Sequence, residues 1–418
     1  MQFKIYYTSS GNINNLNLNI SIESLSMKFR IPLSVPIHEW DNKKQRPKNI
    51  YLKKNKTLNF KLDQIKIHIH EYIIQRCAQN KKISHRGISN EIKKICEQKN
   101  VALKKDSLLF FMDQYIKNKK GLICSSTYKR YNVFFNLVKR FEGYTMKQII
   151  LQDIGVEFVK KFIDFGKVEE YNESTIYRTI HFIKTILNFI ERKGIRTNIR
   201  ELDIRKDKTK KEVISLTEDE ILKIKYTDVP LELKAAKQWL IISCYTGQRF
   251  SDFIKFSTEK LLEIKGKTCI KFTQKKTGKE VLLPLHQIVV NILKTNNNQF
   301  PEKINIHHYN QQIKKIAEIA GIKNSLKAKK RIGHRVKIML LEKWQIITSH
   351  IGRRSFATNF YGKIPTPLLM EATGHSSENM FLRYINPIDD QRVISLSKLF
   401  DKMYKQRPKL YNYLDKIN

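Results

Sequence analysis

Apolar positions recur along this chain with two different periods. Over 17–22 (Leu-Asn-Leu-Asn-Ile-Ser) and 26–33 (Ser-Met-Lys-Phe-Arg-Ile-Pro-Leu) they alternate with polar ones, which predicts two half-buried strands. From 58 to 79 the spacing changes to that of a helix. Residues 103–198 keep helical spacing throughout. Ser125-Ser126-Thr127 offers a cap for a helix carrying Tyr128, Tyr131, Phe134, Phe135, Leu137 and Val138. Asn172-Glu173-Ser174-Thr175 precedes a second run (Ile176, Ile180, Ile183, Ile186, Leu187, Ile190) that Gly194 stops. Arg178, Lys184, Arg192 and Lys193 sit off that apolar stripe.

The polar run 205–212 (Arg-Lys-Asp-Lys-Thr-Lys-Lys-Glu) interrupts the pattern and reads as a linker. Beyond it, Thr217 caps a helix whose first turn holds Glu218, Asp219 and Glu220. The strand-like segments 267–272 and 280–285 flank the turn residues Thr277-Gly278-Lys279. Pro284 makes the second segment an edge strand or ends it. The tail residues Ile394, Leu396, Leu399, Phe400 and Met403 keep helical spacing. The fold expected is mainly α with small β elements, in several domains: an α/β segment 1–88, a helical segment 103–198, a basic linker 199–212, a mixed α+β segment 213–405 and a tail 406–418.

Composition narrows the function. Lys and Arg number 79 against 39 Asp and Glu, a net charge of +40 in 418 residues. Such an excess calls for a polyanionic partner, nucleic acid before an anionic membrane surface, although a general bias toward Lys, Ile and Asn supplies part of it. No stretch of 18 apolar residues occurs, so no membrane span is expected. The start, Met-Gln-Phe-Lys-Ile-Tyr-Tyr, lacks the features of a signal peptide. Cys77, Cys96, Cys124, Cys244 and Cys269 are scattered, which argues against a disulfide framework and fits a reducing cytoplasm. No phosphate-binding glycine loop is present. His68, His70 and the adjacent His307-His308 lack the carboxylate or thiolate company of a metal site.

The candidate chemistry lies after residue 213. Arg249 follows Thr246-Gly247-Gln248, with Asp252 three residues on. Lys275 and Lys276 precede the turn of the strand pair. His350 and Arg353 are three apart in His350-Ile351-Gly352-Arg353-Arg354-Ser355, His375 follows Gly374, and Tyr384 comes nine residues later. Each has a plain structural reading: a surface arginine after a turn, lysines where lysines usually sit, a solvated helix face, one tyrosine among 18.

Together these groups describe one reaction. Two arginines can fork onto the nonbridging oxygens of a phosphodiester and stabilise the charge of its transition state. A lysine or a protonated histidine can give a proton to the leaving alkoxide. A phenol is a weak nucleophile, and a cation-rich pocket favours its phenolate. The guanidinium groups fill the electrostatic role a metal ion would otherwise take, so no cofactor is expected.

The order and spacing of these groups resemble the tyrosine recombinase (phage integrase) family: an Arg after a Thr-Gly turn, a Lys on a β-hairpin, a His-x-x-Arg box, a Gly-His pair and a Tyr about nine residues on. Ser355-Phe356-Ala357-Thr358-Asn359, Gly374-His375-Ser376-Ser377 and Glu39-Trp40-Asp41-Asn42-Lys43-Lys44-Gln45-Arg46 are similar to integrases of Bacteroidetes mobile elements. The resemblance implies that Tyr384 forms a 3′-phosphotyrosyl bond and frees a 5′-hydroxyl. It makes Arg249 and Arg353 the phosphate clamps and gives His350 and His375 assisting roles. Lys276 would be the general acid, with Lys275 the alternative, and Asp252 a buttress. It also implies an arm-type DNA-binding domain over 1–88 and a core-binding domain over 103–198. Candidate DNA contacts are Lys43, Lys44, Arg46, Lys48, Tyr128, Lys129, Arg130, Arg178 and Lys184. The implied partners are double-stranded attachment-site DNA, three further copies in a tetramer, and an accessory DNA-bending protein or excisionase. The tail would dock on a neighbouring copy or on its own core. The family works in the bacterial cytoplasm, on the nucleoid. Two departures stand out: Arg354 where the wider family often has His, and Ala372-Thr373 before the Gly-His pair. The rival readings are a type IB topoisomerase, which uses the same pocket, and a DNA-binding regulator with an inactive site.

Overall fold

The computed structural model describes residues 3–9, 15–22, 25–49, 52–97, 103–202, 204, 213–332, 335–385, 394 and 397–402. The chain divides into two compact units, residues 1–208 with 329–337, and residues 209–328 with 338–418. Most of the expected linker and the whole of 406–418 lie outside the described residues, as do Leu396 and Met403.

The first unit opens with an antiparallel sheet of β1 (Phe3–Ser9), β2 (Asn15–Ile22) and β3 (Leu25–Ser34), in that order. Alternation puts Ile5, Tyr7, Leu18, Ile20, Phe29 and Ile31 on one buried face. A small ladder of β4 (Trp40–Asp41) and β5 (Arg46–Pro47) follows. The sheet's apolar face shares its core with α1 (Lys53–Ala78) and α2 (His85–Glu97). Helix α1 begins five residues before the apolar spacing does, because Lys-Lys-Asn-Lys-Thr carries no period to read. A second core, rich in Phe134, Phe141, Phe158, Phe162 and Phe165, joins α3 (Leu108–Asn118), α4 (Ser125–Thr145), α5 (Val156–Val168) and α6 (Glu173–Glu191). Asn172 caps α6, its side chain accepting from Ser174 N at 2.9 Å. The cap of α4 is not the expected serine: Ser125 is already helical and Cys124 stands at the N-cap.

Helices α1 and α4 meet closely. A Cβ on Gly143 would fall within 1.9 Å of the Asp63 carboxylate. Around that carboxylate runs a buried ion network. Asp63 pairs with Arg46 and lies 3.6 Å from Arg140, which reaches Glu169 at 3.5 Å.

The second unit begins with α7 (Glu218–Tyr226), closed by a full capping box between Thr217 and Glu220. Next come α8 (Leu231–Thr246) and the short α9 (Phe250–Phe253). Strands β6 (Leu261–Ile264), β7 (Lys267–Thr273) and β8 (Glu280–Pro284) form an antiparallel sheet in that order. Pro284 ends β8 on the sheet edge, where its missing N–H costs no ladder bond. Helices α10 (Gln287–Thr295) and α11 (Ile306–Ile319) follow. A ribbon of β9 (Ser325–Ile332) and β10 (Arg335–Glu342), whose residues 329–337 count with the first unit, leads to α12 (Lys343–Ile346), α13 (Ile351–Phe360), α14 (Thr366–Thr373) and α15 (Glu378–Leu382). The C-terminal half of α8, from Trp239 to Thr246, is buried on every side and packs into the core of this unit. Among the described residues no helix is long and apolar enough to cross a membrane.

Candidate active site

Helix α8 stops at Gly247, whose φ of +67° is a left-handed conformation that suits glycine. A Cβ there would also meet the Phe356 ring at 2.5 Å. The turn delivers Arg249 to the N-cap of α9. Its Nη1 donates to Gln274 Oε1 at 3.0 Å and lies 4.0 Å from Asp252 Oδ2.

Helix α13 packs directly on α8. A Cβ on Gly352 would overlap Ser243 Oγ at 1.9 Å, so only glycine allows this approach. The packing buries Arg353, which is 0% exposed. Its Nη1 donates to Gly247 O at 3.0 Å and to Thr373 O at 2.7 Å, and its Nη2 contacts His375 Nε2 at 2.9 Å. Its Nε is buried with no hydrogen-bond partner among the described residues. Burial and the neighbouring Arg249 push its pKa down to about 10, which leaves it cationic at neutral pH.

His375 follows the C-cap Gly374 of α14. The network assigns its tautomer. Arg353 can only donate, so Nε2 accepts. Thr373 gives its hydroxyl proton to Leu369 O at 2.6 Å, so Nδ1–H donates to Thr373 Oγ1 at 2.8 Å. His350, at the N-cap of α13, brings Nε2 to 3.2 Å from the Tyr384 hydroxyl. The Tyr384 ring also lies 4.9 Å from that of His375 and 5.5 Å from Arg353 Cζ. Burial, then the arginines around them, lowers His350 to about 4 and His375 to about 3. Both imidazoles are therefore neutral at pH 7 in the free protein.

The β7–β8 loop carries the two lysines, both exposed. Lys275 is held by its backbone, donating N–H to Asp252 Oδ1 at 3.0 Å. Lys276 is close enough that its charge contributes to the lowering of His350. Asp252 thus pins the loop and faces Arg249. Arg249, Arg353, His350, His375 and Tyr384, widely separated in sequence, converge on one pocket with Lys276 at its rim.

The expected DNA contacts fare differently. Lys43, Lys48, Lys129, Arg130 and Arg178 are exposed, and Lys184 is half-buried. Lys44 lies 3.9 Å from both Glu169 and Glu170. Tyr128 packs against the helical core. Arg46 is a correction. It is buried, bound to Asp63 and to Asn59 Oδ1 at 3.3 Å, and a cation neutralised inside the fold is not a phosphate contact.

Two groups of residues escape the sequence reading. Gln248 and Gln274, both fully buried, hold the pocket together through side-chain amides. The outer face of the N-terminal sheet carries the rows Lys4–Ser21–Ser26, Tyr6–Asn19–Lys28 and Thr8–Asn17–Arg30, every one a hydrogen-bonding side chain. The alternation in 3–9 was a readable signal for the strand that completes this face.

Residues 214–391 match the phage integrase family, and residues 107–199 match the phage integrase SAM-like domain. The two spans together exceed half of the chain. No curated protein matches the sequence. Among solved structures, the Tn1549 transposon integrase in complex with transposon right end DNA is 12% identical, with a TM-score of 0.51 over 71% of this chain and 99% of its own. The XerH site-specific recombinase bound to palindromic difH substrate, in a post-cleavage complex, is 14% identical, with a TM-score of 0.50 over 81% of this chain and 97% of its own. At such identities the likeness is one of fold.

Proposed function

The chain belongs to the phage integrase family, and from that premise we propose that it is a site-specific tyrosine recombinase that integrates or excises a mobile element. The observation that carries this reading is the meeting of Arg249, Arg353, His350, His375 and Tyr384 in one pocket.

Tyr384 Oη attacks the scissile phosphorus while His350 Nε2, neutral and 3.2 Å away, is placed to accept its proton. The P–O5′ bond breaks and the 5′-oxygen takes a proton from Lys276. Arg249 and Arg353 hold the nonbridging oxygens; the unpartnered Nε of Arg353 is a donor kept for an incoming acceptor. His375 spends its one N–H on Thr373 Oγ1 and accepts from Arg353 through Nε2, so its part is to fix that guanidinium until a phosphate arrives. The 3′-phosphotyrosyl bond keeps the energy of the broken linkage, and the 5′-hydroxyl of another strand reverses the step without ATP.

Exchange between two duplexes cuts four strands, each needing one tyrosine, so the working assembly is a tetramer on double-stranded DNA. Residues 103–198 form the core-binding domain and contact phosphates through Lys129, Arg130 and Arg178. Residues 1–88 bind a separate arm site, and the polar outer face of their sheet is the reading surface, since a β-sheet face can enter the major groove.

The test is covalent trapping on nicked DNA from the ends of the element, followed by a denaturing gel. A protein-linked band that Tyr384→Phe abolishes, with DNA binding retained, is the expected result. Binding without any band would leave a DNA-binding regulator. Supercoil relaxation by the protein alone, with no strand exchange, would leave a topoisomerase.

A further inference from the structure

One buried side chain touches three parts of the pocket at once. Gln274 ends the β7 side of the lysine loop and is 0% exposed. Its Oε1 accepts from Arg249 Nη1 at 3.0 Å and from Thr277 Oγ1 at 2.9 Å. Its Nε2 donates to Gln248 Oε1 and to Thr373 O, both at 3.0 Å. Two donations and two acceptances exhaust the amide. The orientation is fixed too: turned over, the amide would set NH₂ against a guanidinium and oxygen against a carbonyl.

Its neighbours extend the connection. Gln248 Nε2 donates to Thr246 O at 2.8 Å and to Ala372 O at 2.7 Å, tying the arginine turn to the end of α14. The backbone of Gln274 closes the loop that carries both lysines, through Gln274 N to Lys279 O and Gly278 N to Gln274 O, each 2.9 Å. Gly374, next to His375, leaves room for the amide; a Cβ there would meet Gln274 Oε1 at 2.4 Å.

We propose that Gln274 is a positioning residue for strand cleavage, aiming the Arg249 guanidinium and setting the lysine loop in register with the His375 segment. It acts through Arg249 and touches no reacting atom. The proposal rests on the recombinase reading for its kinetic consequence, but not for its structural one.

The experiment uses the full chain carrying Gln274→Met, which keeps length and volume and removes every hydrogen bond of the side-chain amide. Gln274→Glu is the second variant, keeping the acceptor for Arg249 and losing both donors. The first readout needs no catalysis: phenylglyoxal modification of Arg249, followed by peptide mass spectrometry. With its anchor gone, Arg249 should react several-fold faster in Gln274→Met, whereas exposed Arg178 should not change. Unchanged Arg249 reactivity overturns the proposal, whether or not the protein cleaves DNA.

The second readout is the rate of adduct formation at saturating protein. Misaiming one clamp by about an ångström costs on the order of 100-fold. Gln274→Met should therefore slow cleavage about 100-fold at unchanged DNA affinity, and change it less than about threefold in an Arg249→Lys background. Equal losses in both backgrounds would mean Gln274 only supports the fold. Absence of any wild-type adduct would defeat the recombinase reading and leave the Arg249 labelling to decide the structural claim. If Gln274→Met fails to fold, Gln274→Glu carries the kinetic readout, and its Arg249 labelling should stay at or below the wild-type rate because the carboxylate still holds the guanidinium; faster labelling there overturns the proposal.

Discussion

Arg353 donates through Nη2 to Nε2 of His375 across 2.9 Å, so the imidazole must stay neutral while the guanidinium is charged. His350 is held neutral first by burial and then by the surrounding cations. The sign for stability follows. Unfolded histidine titrates near about 6.5, whereas these two titrate at about 4 and about 3 in the fold. Above the unfolded value the pair contributes its full stability. As pH falls below it, the unfolded chain gains protons that the folded chain refuses, and stability is lost until the folded values are passed. The Tm of DNA-free protein should thus fall from about pH 6.5 downward, and less steeply in His375→Gln. Parallel curves for the two proteins would contradict the assignment.

The two clamp arginines should fail differently. Arg353→Ala orphans the buried carbonyl of Gly247, at about 1–3 kcal/mol, and leaves Thr373 O with only the Gln274 amide as donor. It should lower Tm as well as cleavage. Arg249→Ala removes a guanidinium at the pocket's edge and should cost about 100- to 1,000-fold in cleavage with little change in Tm. Calorimetry beside adduct kinetics separates the two; a large Tm loss from Arg249→Ala and none from Arg353→Ala would reverse the argument.

Lys276, rather than Lys275, should protonate the leaving oxygen, because its charge is the one that reaches His350 in the pocket. Lys276→Ala should lose about 100- to 10,000-fold in cleavage. A 5′-bridging sulfur substrate, whose thiolate leaves without a proton, should restore most of that loss. Rescue of Lys275→Ala instead would exchange the two assignments.

On the N-terminal sheet, Lys28 and Arg30 are exposed on β3 beside Asn19 and Asn17. If this face holds arm DNA, Lys28→Ala should weaken binding to every sequence and reduce the salt slope by about one. Arg30→Ala should either do the same or relax preference at one base pair. Titrations of arm-site DNA at several salt concentrations measure both; no change in affinity or slope from either variant removes the sheet from the interface.

The longer helices of the first unit were legible where an apolar face repeats over several turns, as Ile176 to Ile190 do in α6, whereas the second unit was legible only as broadly helical after the Thr217 cap. The five pocket residues were legible through their spacing and order. What stayed hidden depends on partners far away in sequence. Arg46 looks like a loop cation until Asp63 and Asn59 fold against it. Gln274 and Gln248 look like ordinary polar residues, because their acceptors at Thr373 and Ala372 lie about a hundred residues on. The ribbon of β9 and β10 was missed because its strands are exposed on both faces, from Lys329 to Ile332 and from Lys337 to Leu340. Strands without a buried side show no alternation.

The ion network around Asp63 also limits how freely this chain could exchange parts with its relatives. Its first hundred residues resemble a detachable head, yet Asp63 sits on that head while Arg140 and Glu169 sit on the helices behind it. A graft that brought another head without a carboxylate at this position would leave Arg140 short of a counter-charge in a buried place, which is far more damaging than losing a surface pair. Gly143 adds a steric condition, since no larger residue admits the Asp63 side chain. Any exchange of the first hundred residues must carry residues 140, 143 and 169 with them, and the natural joint lies behind those positions rather than at the start of the helical core.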